Sequence, residues 1–118
     1  HRHLRERVEE ILSPQLHKQL PGLDQVAAQL GLPPWTLRRR LKAEAGTRFQ
    51  DIIDEIRRDL ALSYIRDTET ALGEIAFLLG FSSPAAFQRA FKRWTGVAPG
   101  QYRRQARDGG QEDPTPNL

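Results

Sequence analysis

The sequence predicts an all-α fold of about seven helices, arranged as two helix-turn-helix units joined by a long linker helix. Three observations carry this expectation. Every long segment places apolar residues three and four apart, and no stretch alternates with period two for long enough to argue a strand. Glycine or proline marks the expected ends and starts of these segments, at Ser13-Pro14, Pro21-Gly22, Gly31, Gly46, Gly80 and Ser83-Pro84. Finally, Leu23-Asp24-Gln25-Val26-Ala27-Ala28-Gln29-Leu30-Gly31-Leu32 returns as Leu72-Gly73-Glu74-Ile75-Ala76-Phe77-Leu78-Leu79-Gly80-Phe81, and each copy runs into a basic amphipathic segment.

The first helix is expected over Leu4 to Leu12, ended or bent at Ser13-Pro14 because proline disfavours helix at the residue before it. A loop through Leu20-Pro21-Gly22 leads to a second helix from Asp24 to Leu30, stopped by Gly31 in a left-handed conformation. Pro34 suits the first turn of a third helix reaching about Glu44, with Gly46 closing it. Thr47 followed three residues later by Gln50 is a capping-box pattern, so the linker helix should run over about 48–66. Its stripe of Phe49, Ile52, Ile53, Ile56, Leu60 and Tyr64 reads as the face of a central packing helix. Thr70 is expected to cap the fifth helix and Gly80 to stop it. Ser83-Pro84 supplies an N-cap and first-turn proline for the sixth. A short last helix should begin near Pro99 and carry Tyr102. The domain therefore spans 1–107, with a first unit over about 22–46 and a second over about 70–96; the segment 108–118 has almost nothing to bury and is expected to be disordered.

The two copies align at an offset of 49 up to the glycine and 50 after it, so the second turn carries one added residue. Val26 pairs with Ile75, Ala27 with Ala76, Gly31 with Gly80, Leu37 with Phe87, Arg39 with Arg89, Leu41 with Phe91 and Lys42 with Lys92. A small residue where two helices cross, a glycine at the turn and apolar residues on the second helix are what a helix-turn-helix requires. Projection at roughly 100° per residue then sorts the faces. With Leu37 and Leu41 inward, Trp35, Arg38, Arg39 and Lys42 lie outward; with Phe87 and Phe91 inward, Ala85, Gln88, Arg89 and Lys92 do. Trp94 projects with the inward set. Arg and Lys can pair with guanine, Gln with adenine, and apolar groups with the thymine methyl. Trp35 reads as a base or sugar contact, with partial burial as the competing reading. Arg40 sits nearer the flank and suits a phosphate.

Composition supports a polyanionic partner. The net charge is +3, and from Ile75 to Arg107 there is no Asp or Glu while Arg89, Lys92, Arg93, Arg103, Arg104 and Arg107 all lie there. A one-signed surface attracts phosphates through a term that salt weakens. The absence of Cys excludes disulfides and thiolate metal sites. No apolar run approaches the roughly 18 residues of a membrane span. His1, His3 and His17 are the only histidines and lie outside the repeats, and the carboxylates Asp51, Asp54, Glu55 and Asp59 have the spacing of ion pairs with Arg57, Arg58 and their neighbours. No nucleophile with a base, phosphate loop or metal-ligand set is present, so neither an enzyme nor a cofactor is expected. With no Met, the chain reads as a fragment of a longer protein.

The run Gly80-Phe81-Ser82-Ser83-Pro84-Ala85-Ala86-Phe87-Gln88-Arg89-Ala90-Phe91-Lys92-Arg93-Trp94-Thr95-Gly96-Val97-Ala98-Pro99-Gly100-Gln101-Tyr102-Arg103-Arg104 closely resembles the signature of the AraC/XylS family of bacterial transcription regulators. The likeness extends upstream to about Leu4. It implies a C-terminal DNA-binding domain whose two recognition helices enter successive major grooves of double-stranded promoter DNA. It implies base contacts from Trp35, Arg38 and Arg39 in the first unit, to which the projection adds Lys42, and from Ser83, Pro84, Ala85, Gln88 and Arg89 in the second. Phosphate contacts are expected from Arg40, Arg48, Lys92, Arg93, Arg103 and Arg104. It further implies an effector-binding or dimerising N-terminal domain outside this segment, contact with RNA polymerase, and a cytoplasmic, nucleoid-associated location. The sequence departs from the family where Gly22 and Pro33 replace Ser or Thr caps, and where Pro84-Ala85-Ala86 makes the second recognition helix begin apolar. Because the outward faces differ, the site should be asymmetric. The competing reading is a helical module that touches RNA polymerase or a partner regulator, for which basic residues on both outward faces would be unnecessary.

Overall fold

The computed structural model describes residues 3–111, and among these the chain forms seven α-helices and no strand. They are α1 (Leu4–Leu12), α2 (Leu23–Gln29), α3 (Pro34–Ala45), α4 (Phe49–Asp67), α5 (Leu72–Leu78), α6 (Pro84–Thr95) and α7 (Pro99–Gln111), with a 3-10 turn at Ser13–Gln15. The helices fall into two compact units whose boundary lies inside α4, between Arg57 and Arg58.

In the first unit α1, α2, α3 and the start of α4 enclose Leu4, Val8, Leu12, Leu16, Val26, Ala27, Leu37, Leu41, Ile52, Ile53 and Ile56, all buried. In the second, Ala61 and Ile65 of α4 join Ile75, Ala76, Leu79, Phe87, Ala90 and Phe91. Its core is aromatic. Phe81, Phe87, Phe91, Trp94 and Tyr102 form a connected set with ring centroids 5.4–6.4 Å apart, mostly tilted or edge-to-face, the arrangement that ring quadrupoles favour. Trp94 thus belongs to the packing set, as its projection indicates.

The repeat is reproduced at the level of backbone hydrogen bonds. After α2 the chain turns through Gly31 at φ 72°, and after α5 through Gly80 at φ 83°. The Leu32 N–H donates to the Ala27 carbonyl (2.9 Å) and the Gly31 N–H to that of Ala28 (3.1 Å); Phe81 donates to Ala76 and Gly80 to Phe77, both at 3.0 Å. These are two Schellman turns, which satisfy carbonyls a helix end would leave bare. Ala27 and Ala76 lie fully packed at the helix crossings they were expected to allow.

Four local expectations are corrected. Thr47 does not cap α4: the first intrahelical bond is accepted by the Arg48 carbonyl, the Thr47 hydroxyl donates to that same carbonyl, and Gln50 donates forward to Asp54. Ala71, not Thr70, is the N-cap of α5, and the Thr70 hydroxyl instead accepts from that of Thr68. Leu60 is 36% exposed, because the buried positions of α4 move from 52, 53 and 56 in the first unit to 61 and 65 in the second. Finally, α7 continues through 108–111, since a helix docked at Pro99 and Tyr102 propagates more cheaply than it nucleates. The remainder of the expected disordered tail, and His1, lie outside the described residues. Elsewhere the missing cap at Gly22 is partly replaced: its N–H donates to the Gln25 side chain at 3.0 Å.

Gly31→Ala is expected to destabilise the fold by about 1–2 kcal/mol. A Cβ there meets nothing within 4 Å, so the cost is backbone strain alone. Gly31→Asn should cost less, because asparagine tolerates the left-handed region. Denaturant unfolding of the three proteins checks the order.

Candidate nucleic-acid interface

The outward faces of α3 and α6 emerge as projected. On α3, Leu37 and Leu41 are fully buried, while Trp35, Arg38, Arg39 and Lys42 are exposed, Trp35 to 60%. On α6, Phe87 and Phe91 are buried, while Ala85, Gln88, Arg89 and Lys92 are exposed. Trp35 is therefore not packed into the core. Its ring carries the Arg39 guanidinium, whose carbon lies 4.9 Å from the ring centroid.

The two helices start differently. Pro34 opens α3 behind Pro33, which offers no side-chain cap. Pro84 opens α6 behind Ser83, whose Oγ accepts from the Ala86 N–H at 3.1 Å. That bond occupies an acceptor position of Ser83 and leaves its own hydroxyl hydrogen free to donate. Both helices close on a left-handed glycine, Gly46 and Gly96.

The cations divide by their neighbours. Among the described residues, Arg38, Arg39, Lys42, Arg89, Lys92, Arg93 and Arg104 have no acidic partner within ion-pair distance. Arg40 is engaged by Glu44 at 2.7 Å, and Arg48 by Asp51 at 3.2 Å. The hydrogen bond from Arg48 holds the Asp51 carboxyl below the usual carboxylate range. Both pairs are exposed, so an anion can compete for either arginine at little cost. Glu55 on α4 is taken by Arg5 of α1, and Asp59 by its neighbour Arg58.

Arg103 is the exception to the expected phosphate set. Its guanidinium donates to four backbone carbonyls: Nε to Ile65 (3.2 Å), Nη1 to Thr70 (2.7 Å), and Nη2 to Tyr64 (3.2 Å) and Thr68 (3.3 Å). It closes the C-terminal end of α4 and the loop beyond, where bare carbonyls and the helix dipole both favour a cation. Facing a phosphate would mean giving up these bonds. Arg107 pairs with Glu69 on the same loop. Acceptors that lie 33–39 residues upstream leave no local pattern, whereas the Trp35–Arg39 stack is foreshadowed by its spacing of four on one helix face.

Among the described residues no group of three or more His, Asp or Glu is placed to hold a metal ion, and no helix is long and apolar enough to cross a membrane.

Comparison with known proteins agrees with this geometry. A family model described as a helix-turn-helix domain matches residues 26–105. The ornithine utilization regulator of Pseudomonas aeruginosa is 45% identical over 83 residues, which are 70% of this chain and 24% of that protein. The chain thus spans about a quarter of the length of that relative. Among solved structures, the C-terminal domain of AraT, a response regulator from Geobacillus stearothermophilus, superposes with a TM-score of 0.75 at 31% identity, covering 86% of this chain and 84% of that one. The DNA-binding domain of the global transcriptional factor AdpA, solved with a target DNA, superposes with a TM-score of 0.77 at 27% identity, covering 92% and 96%.

Arg103→Met keeps much of the side chain's apolar stem but removes the donors. It is expected to lower stability by about 1–3 kcal/mol, the range for losing charge-assisted hydrogen bonds, whereas Arg104→Met should be close to neutral. Thermal unfolding monitored by circular dichroism separates the two.

Proposed function

The chain belongs to the AraC/XylS family of helix-turn-helix proteins, and from that premise we propose that it reads an asymmetric DNA site, α3 and α6 each entering one of two successive major grooves. The observation that carries the reading is the pair of outward faces, presented by matching glycine turns and bearing Arg38, Arg39 and Lys42 on α3 and Arg89 and Lys92 on α6 without acidic partners among the described residues. A major groove about 12 Å wide admits a helix. On α3, Arg38 and Arg39 offer paired donors to guanine, with Lys42 beside them. On α6, Gln88 suits adenine, Arg89 guanine, and the Ala85 methyl a thymine methyl, while Ser83 can donate its hydroxyl hydrogen. Lys92, Arg93 and Arg104 supply phosphate contacts directly, and Arg40 and Arg48 do so by exchanging an exposed carboxylate for a phosphate.

The likeness to the ornithine utilization regulator supports a parent protein that regulates transcription in the bacterial cytoplasm, on the nucleoid. In this proposal, effector binding or dimerisation belongs to an N-terminal domain outside the chain, and the bound regulator contacts RNA polymerase. Such contact is compatible with DNA reading and does not replace it.

Titrating a duplex selected from a randomised library by this chain, at several salt concentrations, should give a log–log slope of about −4 to −5 if about five phosphates are neutralised at ~0.9 each. Equal affinity for every sequence would overturn the reading. Arg39→Ala should relax preference at one base position at a cost of about 1–3 kcal/mol, whereas Arg104→Ala should weaken all duplexes alike and reduce the slope by about one.

A further inference from the structure

We propose that Trp35 is a positioning residue for Arg39: its indole face holds the guanidinium on the outward side of α3 with the hydrogen-bonding edge left open, and the base preference of the first unit depends on that stack. The inference rests on the DNA-reading proposal and names what sets its specificity.

Four observations support it. Trp35 is 60% exposed, so little of the indole is explained by core packing. The Arg39 guanidinium carbon lies 4.9 Å from the ring centroid, within the roughly 6 Å over which the ring quadrupole attracts a cation. Helical side chains lean toward the N-terminus, so a residue at i+4 reaches back over residue i, and position 39 is placed to cover position 35. Among the described residues Arg39 has no ion pair, so the stack is what orders it. Arg40 and Arg48, by contrast, are each held by a carboxylate that competes for the edge a base would use.

The Arg39 guanidinium lies over the ring and has no hydrogen-bond acceptor among the described residues, so its N–H donors stay available. An arginine so held loses less freedom when a guanine engages it than one sweeping through solvent. The repeat contains its own contrast. Arg89 on α6 corresponds to Arg39, but the residue four positions before it is Ala85, which offers no ring. The first unit therefore has a supported arginine and the second an unsupported one.

The experiment compares Trp35→Phe, Trp35→Leu and Arg39→Ala with the unmodified chain. The probe is a duplex selected by the unmodified chain, together with duplexes changed at the base pair whose preference Arg39→Ala relaxes. The ratio of affinities at that base pair should fall by about two- to fivefold in Trp35→Leu, the range for an exposed cation–π contact, and by less in Trp35→Phe. In the Arg39→Ala background, Trp35→Leu should change the ratio no further. Independently of DNA, the Arg39 Nε–H resonance should show a ring-current shift that disappears in Trp35→Leu. Because Trp35 is exposed, circular dichroism should report unchanged helix content.

An unshifted Arg39 resonance in the unmodified chain would overturn the stack. A Trp35→Leu variant that weakens every duplex alike, with the ratio preserved, would make Trp35 a contact in its own right and overturn the positioning role. Absence of any sequence preference in the unmodified chain would overturn the DNA-reading proposal itself and the specificity role with it, a result visible before any variant is made.

Discussion

A single left-handed residue after α2, and another after α5, is the constraint on which both outward faces depend. Gly31 and Gly80 turn the chain while the N–H groups on either side of the bend satisfy the last carbonyls of the preceding helix. Because those bonds fix the exit direction, the next helix begins in a set rotational register. Pro34 and Pro84 occupy equivalent first positions, and the residue added in the second turn is absorbed before Ser83 rather than inside α6. A slip of one residue would rotate the following helix by about 100°. Leu37 and Leu41 would then leave the core, and an arginine would be driven into it, at several kcal/mol for an unpaired buried charge. The apolar core enforces the register, and the register decides which side chains face solvent.

Much of this was legible from residue type and spacing. The inward positions Leu37, Leu41, Phe87 and Phe91 and the outward sets opposite them are local consequences of helical period, and period is what a sequence displays. The glycine turns were legible for the same reason, since a left-handed position selects glycine strongly. What escaped was decided by partners distant in the chain or by the path on which the chain arrives. Thr47 and Thr70 have the chemistry of caps, but the helices start two residues beyond each of them. Leu60 continues the α4 stripe by spacing alone, yet the helix serves two compact units and its buried positions shift where one gives way to the other. Arg103 looked like one more cation in an acid-free run, and its acceptors are backbone carbonyls, which carry no residue signature.

The cations illustrate the limit of reading charge from composition. Eighteen Lys and Arg create the basic character, but they are not equivalent. Arg103 holds the fold, Arg5 joins α1 to α4 through Glu55, and Arg107 meets Glu69. Only those left without an acidic neighbour can meet an anion without first losing a bond. With these structural arginines set aside, the cations free of acidic neighbours among the described residues are most numerous on α3 (Arg38, Arg39, Lys42) and α6 (Arg89, Lys92, Arg93), while Arg7, Lys18, Arg66 and Arg104 stand singly elsewhere. A surface charged merely for solubility has no reason to be sorted in this way.

The divergence between the two copies also concerns how each presents its donors. In the first unit α3 begins without a side-chain cap, and its central arginine is supported by a neighbouring ring. In the second, Ser83 secures the first turn of α6, while Arg89 has only Ala85 one turn before it. The first unit orders a side chain and leaves its helix start bare; the second orders its helix start and leaves the side chain free. A free arginine can adapt to more than one base or to a phosphate, whereas a stacked one presents a single edge. If α3 and α6 read DNA as proposed, the stringency of recognition should lie with α3, and tolerance with α6, even though the signature run that identifies the family lies in the second unit.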